Sequence, residues 1–282
     1  MQVMKIEDYY FTGDKPLDRI LPDGGFCAIF RRIACIGDSL SSGEFETLTP
    51  DGKKHYNDMF EYSWGQFIAR MCGSKVYNFS KGGMTAKNYC EKFAEEKGYW
   101  DPALAAQAYI IAMGCNDLNH NRFAVGSVGD ICDEDYTKNA DTYAGWYGRM
   151  VQRYKEISPD AKFFFVTMPR SGREERDRTV AAQAQLMRDL ADHFSNSYVI
   201  DLERYAPVYD DSMKPFYLLG HLNPCGYIFT AKMIASYIDW IIRHNMDDFK
   251  RVGYIGTELA DSKLRILEAE AAAAAAAEKP QA

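Results

Sequence analysis

Five short apolar runs, each closed by a polar stretch and each followed by a helical pattern, constrain this chain more than any other feature. They are Ile33–Gly37, Val76–Asn78, Ala108–Met113, Phe163–Thr167 and Tyr198–Asp201. A short unbroken apolar run bounded by turn residues reads as a strand buried on both faces. Between and after these runs the period changes. Phe60, Trp64, Phe67, Ile68 and Met71 recur at helical spacing until Gly73, and Thr85 to Glu96 is helical in character. Tyr143, Trp146, Tyr147, Met150, Val151 and Tyr154 give a third helical face, Glu174 to Phe194 a mostly polar fourth, and Tyr227, Ala231, Ile234, Ile238 and Ile241 a fifth. Strand and helix alternating five times predict a five-stranded parallel sheet flanked by helices, joined by right-handed crossovers.

The chain has 282 residues, 47% of them hydrophobic, enough for one full α/β core. We expect a single domain over 31–256. Residues 1–30, with turn clusters Gly13-Asp-Lys-Pro16 and Pro22-Asp-Gly-Gly25, read as an irregular lead-in. Residues 257–282 hold an alanine run without an apolar stripe, so a helical or flexible appendage is expected there. Ser41 to Gly52 reads as a polar loop, and Cys115 to about Asp135 as a lid-like one, because ordered loops of that length are uncommon without a role.

The net charge of −7 argues against a nucleic-acid groove or an anionic membrane surface as partner, since both want clustered Lys and Arg. A small neutral or polar molecule fits better, and the charge leaves the oligomeric state open. Seven scattered cysteines without a CxxC pair signal neither a disulfide framework nor a zinc site, so reduced thiols in a cytoplasm are expected. The first ten residues carry no long apolar segment, though a signal peptide removed upstream is compatible with the same sequence.

Four segments fall at predicted strand ends or in the last polar loop: Gly37-Asp-Ser-Leu40, Asn78-Phe-Ser-Lys-Gly-Gly-Met-Thr85, Gly114-Cys-Asn-Asp117 and Gly220-His-Leu-Asn-Pro224. In an open α/β sheet, ligands bind beyond the carboxyl ends of the strands. Together the four segments resemble the GDSL, or SGNH, hydrolase family, whose four letters correspond here to Ser39, Gly83, Asn116 and His221. Gly83 matches better than Gly82, because the family's glycine precedes a variable residue and a Thr, here Met84 and Thr85. The resemblance spans about residues 33–245. It implies a three-layer α/β/α, flavodoxin-like fold, an esterase-type activity and no cofactor. Substrates of such a family include short-chain acyl esters, acetylated carbohydrates and lysophospholipids.

The chemistry of the residues agrees. A serine hydroxyl needs a neighbouring base, and a neutral imidazole, with a pKa near working pH, suits the role. Ser39 is therefore the expected nucleophile, forming an acyl-enzyme, and His221 the expected base. The oxyanion of acyl transfer needs preorganised donors, which Ser39 N–H, Gly83 N–H and the Asn116 amide supply. The sequence around Ser39 is not the GxSxG elbow of α/β-hydrolases.

One position departs from the family pattern. The acid usually three residues before the histidine is here Leu218, in Tyr217-Leu-Leu-Gly-His221. Asp210 or Asp211 turning inward would replace it, as would a backbone carbonyl near Leu218 accepting from the imidazole in a Ser–His dyad. Asp38, His120 and Arg170 lie near the expected mouth and are candidates for substrate contact. His55, His193 and His244 read as solvated or capping residues, and Asp117 as a strand-end residue. No metal site emerges. A carbohydrate acetyl ester is the expected substrate. The competing class is a non-catalytic binding protein on the same scaffold. A flavin protein of the same architecture would want a phosphate loop, whereas Ser41-Ser-Gly43 is followed by Glu44 and Glu46.

Overall fold

The computed structural model describes residues 13–259 together with residues 5, 10, 266 and 270, so the alanine run lies outside the described residues. Among the described residues, no helix is long and apolar enough to cross a membrane. Strands are numbered here in chain order. The central sheet consists of β1 (Arg32–Gly37), β4 (Lys75–Ser80), β5 (Ala108–Ala112), β6 (Lys162–Val166) and β7 (Ser197–Ile200). All four pairings are parallel, and the spatial order is β4-β1-β5-β6-β7. This is the parallel sheet expected from the alternation, in the flavodoxin-like order that the resemblance implies, with chain direction across the sheet reversing beside β1.

The central strands β1, β5 and β6 bury both faces, and their two sets of side chains separate with period two. Ala34, Ile36, Tyr109, Ile111, Phe163 and Phe165 join one core, while Ile33, Cys35, Ala108, Ile110, Phe164 and Val166 join the other. The helices that cover them are α1 (Ser39–Ser42), α2 (Trp64–Cys72), α3 (opening at Ala86–Asn88, with a π turn over Tyr89–Phe93 and a last turn Ala94–Glu96), α4 (Tyr143–Ile157), α5 (Glu174–His193) and α6 (Pro224–His244). Tyr89 and Phe93 of α3, Tyr147 and Val151 of α4 and Leu186 and Leu190 of α5 pack on the first face. Trp64 and Ile68 of α2, with Ile234 and Ile238 of α6, pack on the second. Each fully buried side chain of this size contributes about 1.5–3 kcal/mol of transfer free energy, so the two cores fix the sheet firmly.

Two expectations change. The polar stretch after Ser39 is an antiparallel hairpin of β2 (Glu44–Leu48) and β3 (Lys54–Asp58), closed by a turn in which Gly52 N–H donates to Thr49 O at 2.8 Å. The lid-like stretch opens with a π turn, Cys115–His120, and is then tied down. Tyr143 and Ala144 N–H donate to Ala124 and Val125 carbonyls at 2.9 Å, and Val125, Val128 and Ile131 pack against the core. The described part of the lead-in straps onto α6, where Arg243 bridges Asp14 and Asp239 in a buried ion-pair network.

Candidate active site

β1 ends at Gly37 because a Cβ there would collide with Ser41 Oγ and come within 2.6 Å of the Ala112 carbonyl of β5. Asp38 follows in an extended conformation and caps α1, its Oδ1 accepting from Leu40 N–H at 3.1 Å. Ser39 is thereby the first residue of a one-turn helix, and Gly43, at φ +84°, stops it. First-turn N–H groups have no intrahelical acceptor, and among the described residues Ser39 N–H has no hydrogen-bond partner.

The second donor lies past β4. Gly83 adopts φ +71°, a conformation that favours glycine, and nothing lies within 4 Å of where its Cβ would point. Its N–H too has no partner among the described residues. The third donor comes from the turn after β5, where Asn116 Nδ2 donates to the Met84 carbonyl at 3.1 Å and lies 3.5 Å from Asp38 Oδ2. These contacts pin Asn116 between Asp38 and the loop that carries Gly83. The neighbouring Asp117 reinforces them, because its Oδ1 accepts from Ala86 N–H at 2.8 Å at the start of α3.

The expected base comes from the far end of the chain. A two-residue ladder of β8 (Leu218–Leu219) and β9 (His221–Leu222) presents His221 just before α6, which Asn223 caps through Gly226 N–H. His221 Nε2 is 3.1 Å from Ser39 Oγ. The hairpin reaches over the imidazole: Glu44 Oε1 is 3.2 Å from the same Nε2, and the Tyr56 ring packs edge-on with centroids 5.7 Å apart. Burial pushes His221 below the usual imidazole range, the charges of Glu46 and Asp58 oppose this, and Lys54 adds to it. That direction favours the neutral ring, the form the expected base role requires. Its Nδ1 is buried and without a hydrogen-bond partner among the described residues.

Ser39, Gly83, Asn116 and His221 thus converge at the carboxyl ends of β1, β4 and β5. Asp210 and Asp211 do not join them. Asp210 is held in a local turn, accepting from Ser212 N–H and Oγ at 2.9 and 2.6 Å, and Asp211 pairs with Lys214 at 2.5 Å. Asp211 is exposed and Asp210 half-buried, and neither orients His221. No backbone carbonyl near Leu218 accepts from Nδ1 either. Of the candidates for substrate contact, Asp38 is buried in the site, whereas His120 and Arg170 are exposed on its flank. Arg170 places its charge near Asp177.

Glu44 and Glu46, which the sequence reading left in a polar loop, and Asp58, to which it gave no role, place their charges around His221. Their signal was present in two glycines. A Cβ on Gly82 would collide with Glu44 Oε2, and one on Gly220 with Glu46 Oε2, so both glycines admit a hairpin carboxylate.

Burial raises two further carboxyls, Asp38 to about 6 and Asp117 to about 7. Asp117 is fully buried, and its Oδ2 has no partner. A carboxyl whose folded pKa is raised binds its proton more tightly when folded, so stability falls as pH rises from about 4 to about 7. Asp117→Asn should flatten that slope and stabilise the protein above pH 7 by a few kcal/mol, an order-of-magnitude figure from about 1.4 kcal/mol per pH unit. Urea unfolding of both proteins at pH 5 and pH 8 checks it; an unchanged slope contradicts it.

The family model for GDSL-like lipases and acylhydrolases matches residues 35–228, a span containing all four converging residues. Among solved structures, a protein from Lactobacillus plantarum superposes with a TM-score of 0.54 at 16% identity, over 74% of this chain and 97% of that one. A carbohydrate esterase family 2 enzyme with a carbohydrate binding domain, from Corynascus thermopiles (Myceliophthora fergusii), gives 0.51 at 15% identity, over 75% of this chain and 66% of that one. A family two carbohydrate esterase from Clostridium thermocellum, in complex with cellohexaose, gives 0.51 at 16% identity, over 83% and 66%. At these identities the likenesses establish the fold alone. No curated protein matches the chain.

Proposed function

Because the chain belongs to the GDSL-like lipase/acylhydrolase family, we propose that it is a serine esterase acting through an acyl-enzyme on Ser39. The observation that carries this reading is the 3.1 Å approach of His221 Nε2 to Ser39 Oγ. Ser39 Oγ attacks the ester carbonyl while its proton passes to Nε2. The oxyanion that forms takes hydrogen bonds from Ser39 N–H, Gly83 N–H and Asn116 Nδ2. Collapse expels the alcohol, which receives the Nε2 proton, and water repeats the sequence to release the acid.

The acyl donor we favour is an acetyl ester on a carbohydrate. Polar strand-end loops around Ser39 support it, as do the carboxylates of the hairpin, which accept hydrogen bonds from sugar hydroxyls and repel anionic lipid headgroups. Two of the solved structures of the same fold are carbohydrate esterases.

Incubation with a fluorophosphonate probe and turnover of p-nitrophenyl acetate, set against butyrate and octanoate esters and an acetylated xylo-oligosaccharide, test both parts. We expect one label, on Ser39, and a preference for acetyl. The unpartnered Nδ1 of His221 favours one second reading, a ligand-binding protein that has lost its acid. A folded protein that neither labels nor turns over any ester would establish that reading instead.

A further inference from the structure

Among the described residues, the imidazole of His221 has one carboxylate within 3.5 Å, and it stands on the unusual side of the ring. The family's acid would address Nδ1, which is buried and bare here. Glu44 Oε1 instead lies 3.2 Å from Nε2, the nitrogen that faces Ser39. The placement is built. The Glu44 side chain is only 13% exposed. Gly82 leaves room for its Oε2. Its own carbonyl accepts from Tyr227 Oη at 2.7 Å, and the same Oη lies 3.4 Å from the Ser39 carbonyl, so one α6 side chain fixes the backbone at both residues. Met59 N–H donates to Gly43 O at 2.9 Å, and Glu44 pairs with Asp58 across the hairpin, whose carboxylate accepts from Ser42 Oγ at 2.5 Å.

We infer that Glu44 is the positioning residue of the base, supplying from the hairpin the charge partner of protonated His221 that the chain lacks at Leu218. The inference rests on the esterase reading for its catalytic meaning. When Ser39 gives its proton to Nε2, the ring's positive charge is met by the Glu44 carboxylate 3.2 Å away. Glu44 acts as the counter-charge and takes no proton, so the proton stays on Nε2 for the leaving alcohol. Charges facing the pair are Glu46, Asp58 and Lys54 from the hairpin, with Asp38 from α1's cap. Burial raises Glu44 itself, Asp58 and Asp38 adding to the rise, so the pair works best where Glu44 has lost its proton.

The test is an NMR titration of the His221 ring in wild type, Glu44→Gln and Glu44→Asp, the signal assigned with His221→Ala, alongside the pH profile of kcat/KM for p-nitrophenyl acetate. We expect Glu44→Gln to lower the His221 midpoint by about one pH unit, the usual effect of losing an adjacent opposite charge. The acid limb should move to lower pH by the same amount, and the plateau of kcat/KM should fall about tenfold. Glu44→Asp, which keeps the charge, should recover most of both. A His221 midpoint unmoved in Glu44→Gln overturns the inference, as does a rate that rises because a competing acceptor for Nε2 has gone. If the midpoint moves but wild type hydrolyses no ester, the charge pairing stands and the esterase reading falls. If wild type turns over and the midpoint stays put, the reverse holds.

Discussion

Ser39→Ala and His221→Ala each lower kcat for p-nitrophenyl acetate by about four to six powers of ten, and the double variant is no slower than either single one. Nucleophile and base act as a unit: without Nε2 the hydroxyl keeps its proton, and without the hydroxyl there is no proton to take, so the losses do not add. The rate that survives comes from the oxyanion donors and from binding, neither of which the two substitutions touch. Stability should change little. Ser39 sits at the first turn of α1 with its N–H free, and His221 lies in a half-exposed ladder. Active-site titration and far-UV melting of the three variants check this. Losses that multiply in the double variant would mean that the two residues act independently, and the 3.1 Å contact would then not be the catalytic one.

Asn116→Ala lowers kcat by about 10²–10³ with KM little changed, the usual effect of deleting one oxyanion donor. The argument rests on where the amide stands. One Nδ2 proton is spent on Met84 O, and the other is only weakly engaged, 3.5 Å from Asp38 Oδ2. That second proton is free to strengthen its bond as the oxyanion develops, so its contribution appears in the transition state rather than in ground-state binding. The variant also leaves the Met84 carbonyl without a donor, which should lower Tm by a few degrees. Steady-state kinetics with acetyl esters decide the point. A rise in KM at constant kcat would assign Asn116 to substrate binding and leave only two oxyanion donors.

The centre of the sheet was legible because β1, β5 and β6 are buried on both faces and therefore read as apolar runs. Phe163–Val166, buried throughout, leaves no alternative. The four site residues were legible because each stands at a strand end or beside a glycine with a definite task. What the sequence hid is instructive. β2 and β3 expose most of their residues, so hydrophobic alternation had little to register, and only the Pro50-Asp51-Gly52 turn marked the hairpin. Asp210 and Asp211 are near His221 in the chain, but nearness along a loop does not aim a side chain. Local donors, Ser212 N–H and Lys214 Nζ, captured both carboxylates first. Glu44 lies 177 positions from His221 in sequence, a contact only the folded chain creates.

The machinery is mounted unevenly. Ser39, Gly83 and Asn116 stand at the ends of strands of the five-stranded sheet, while His221 hangs from a ladder of two residues per strand beyond it. Opening that ladder withdraws only Leu222 and Leu218 from the second core, so it should require less free energy than global unfolding. In rising urea the protein should fall silent before it comes apart, the midpoint for ester turnover preceding the far-UV midpoint. The margin between them would measure how loosely a rigid scaffold holds its one detachable working part.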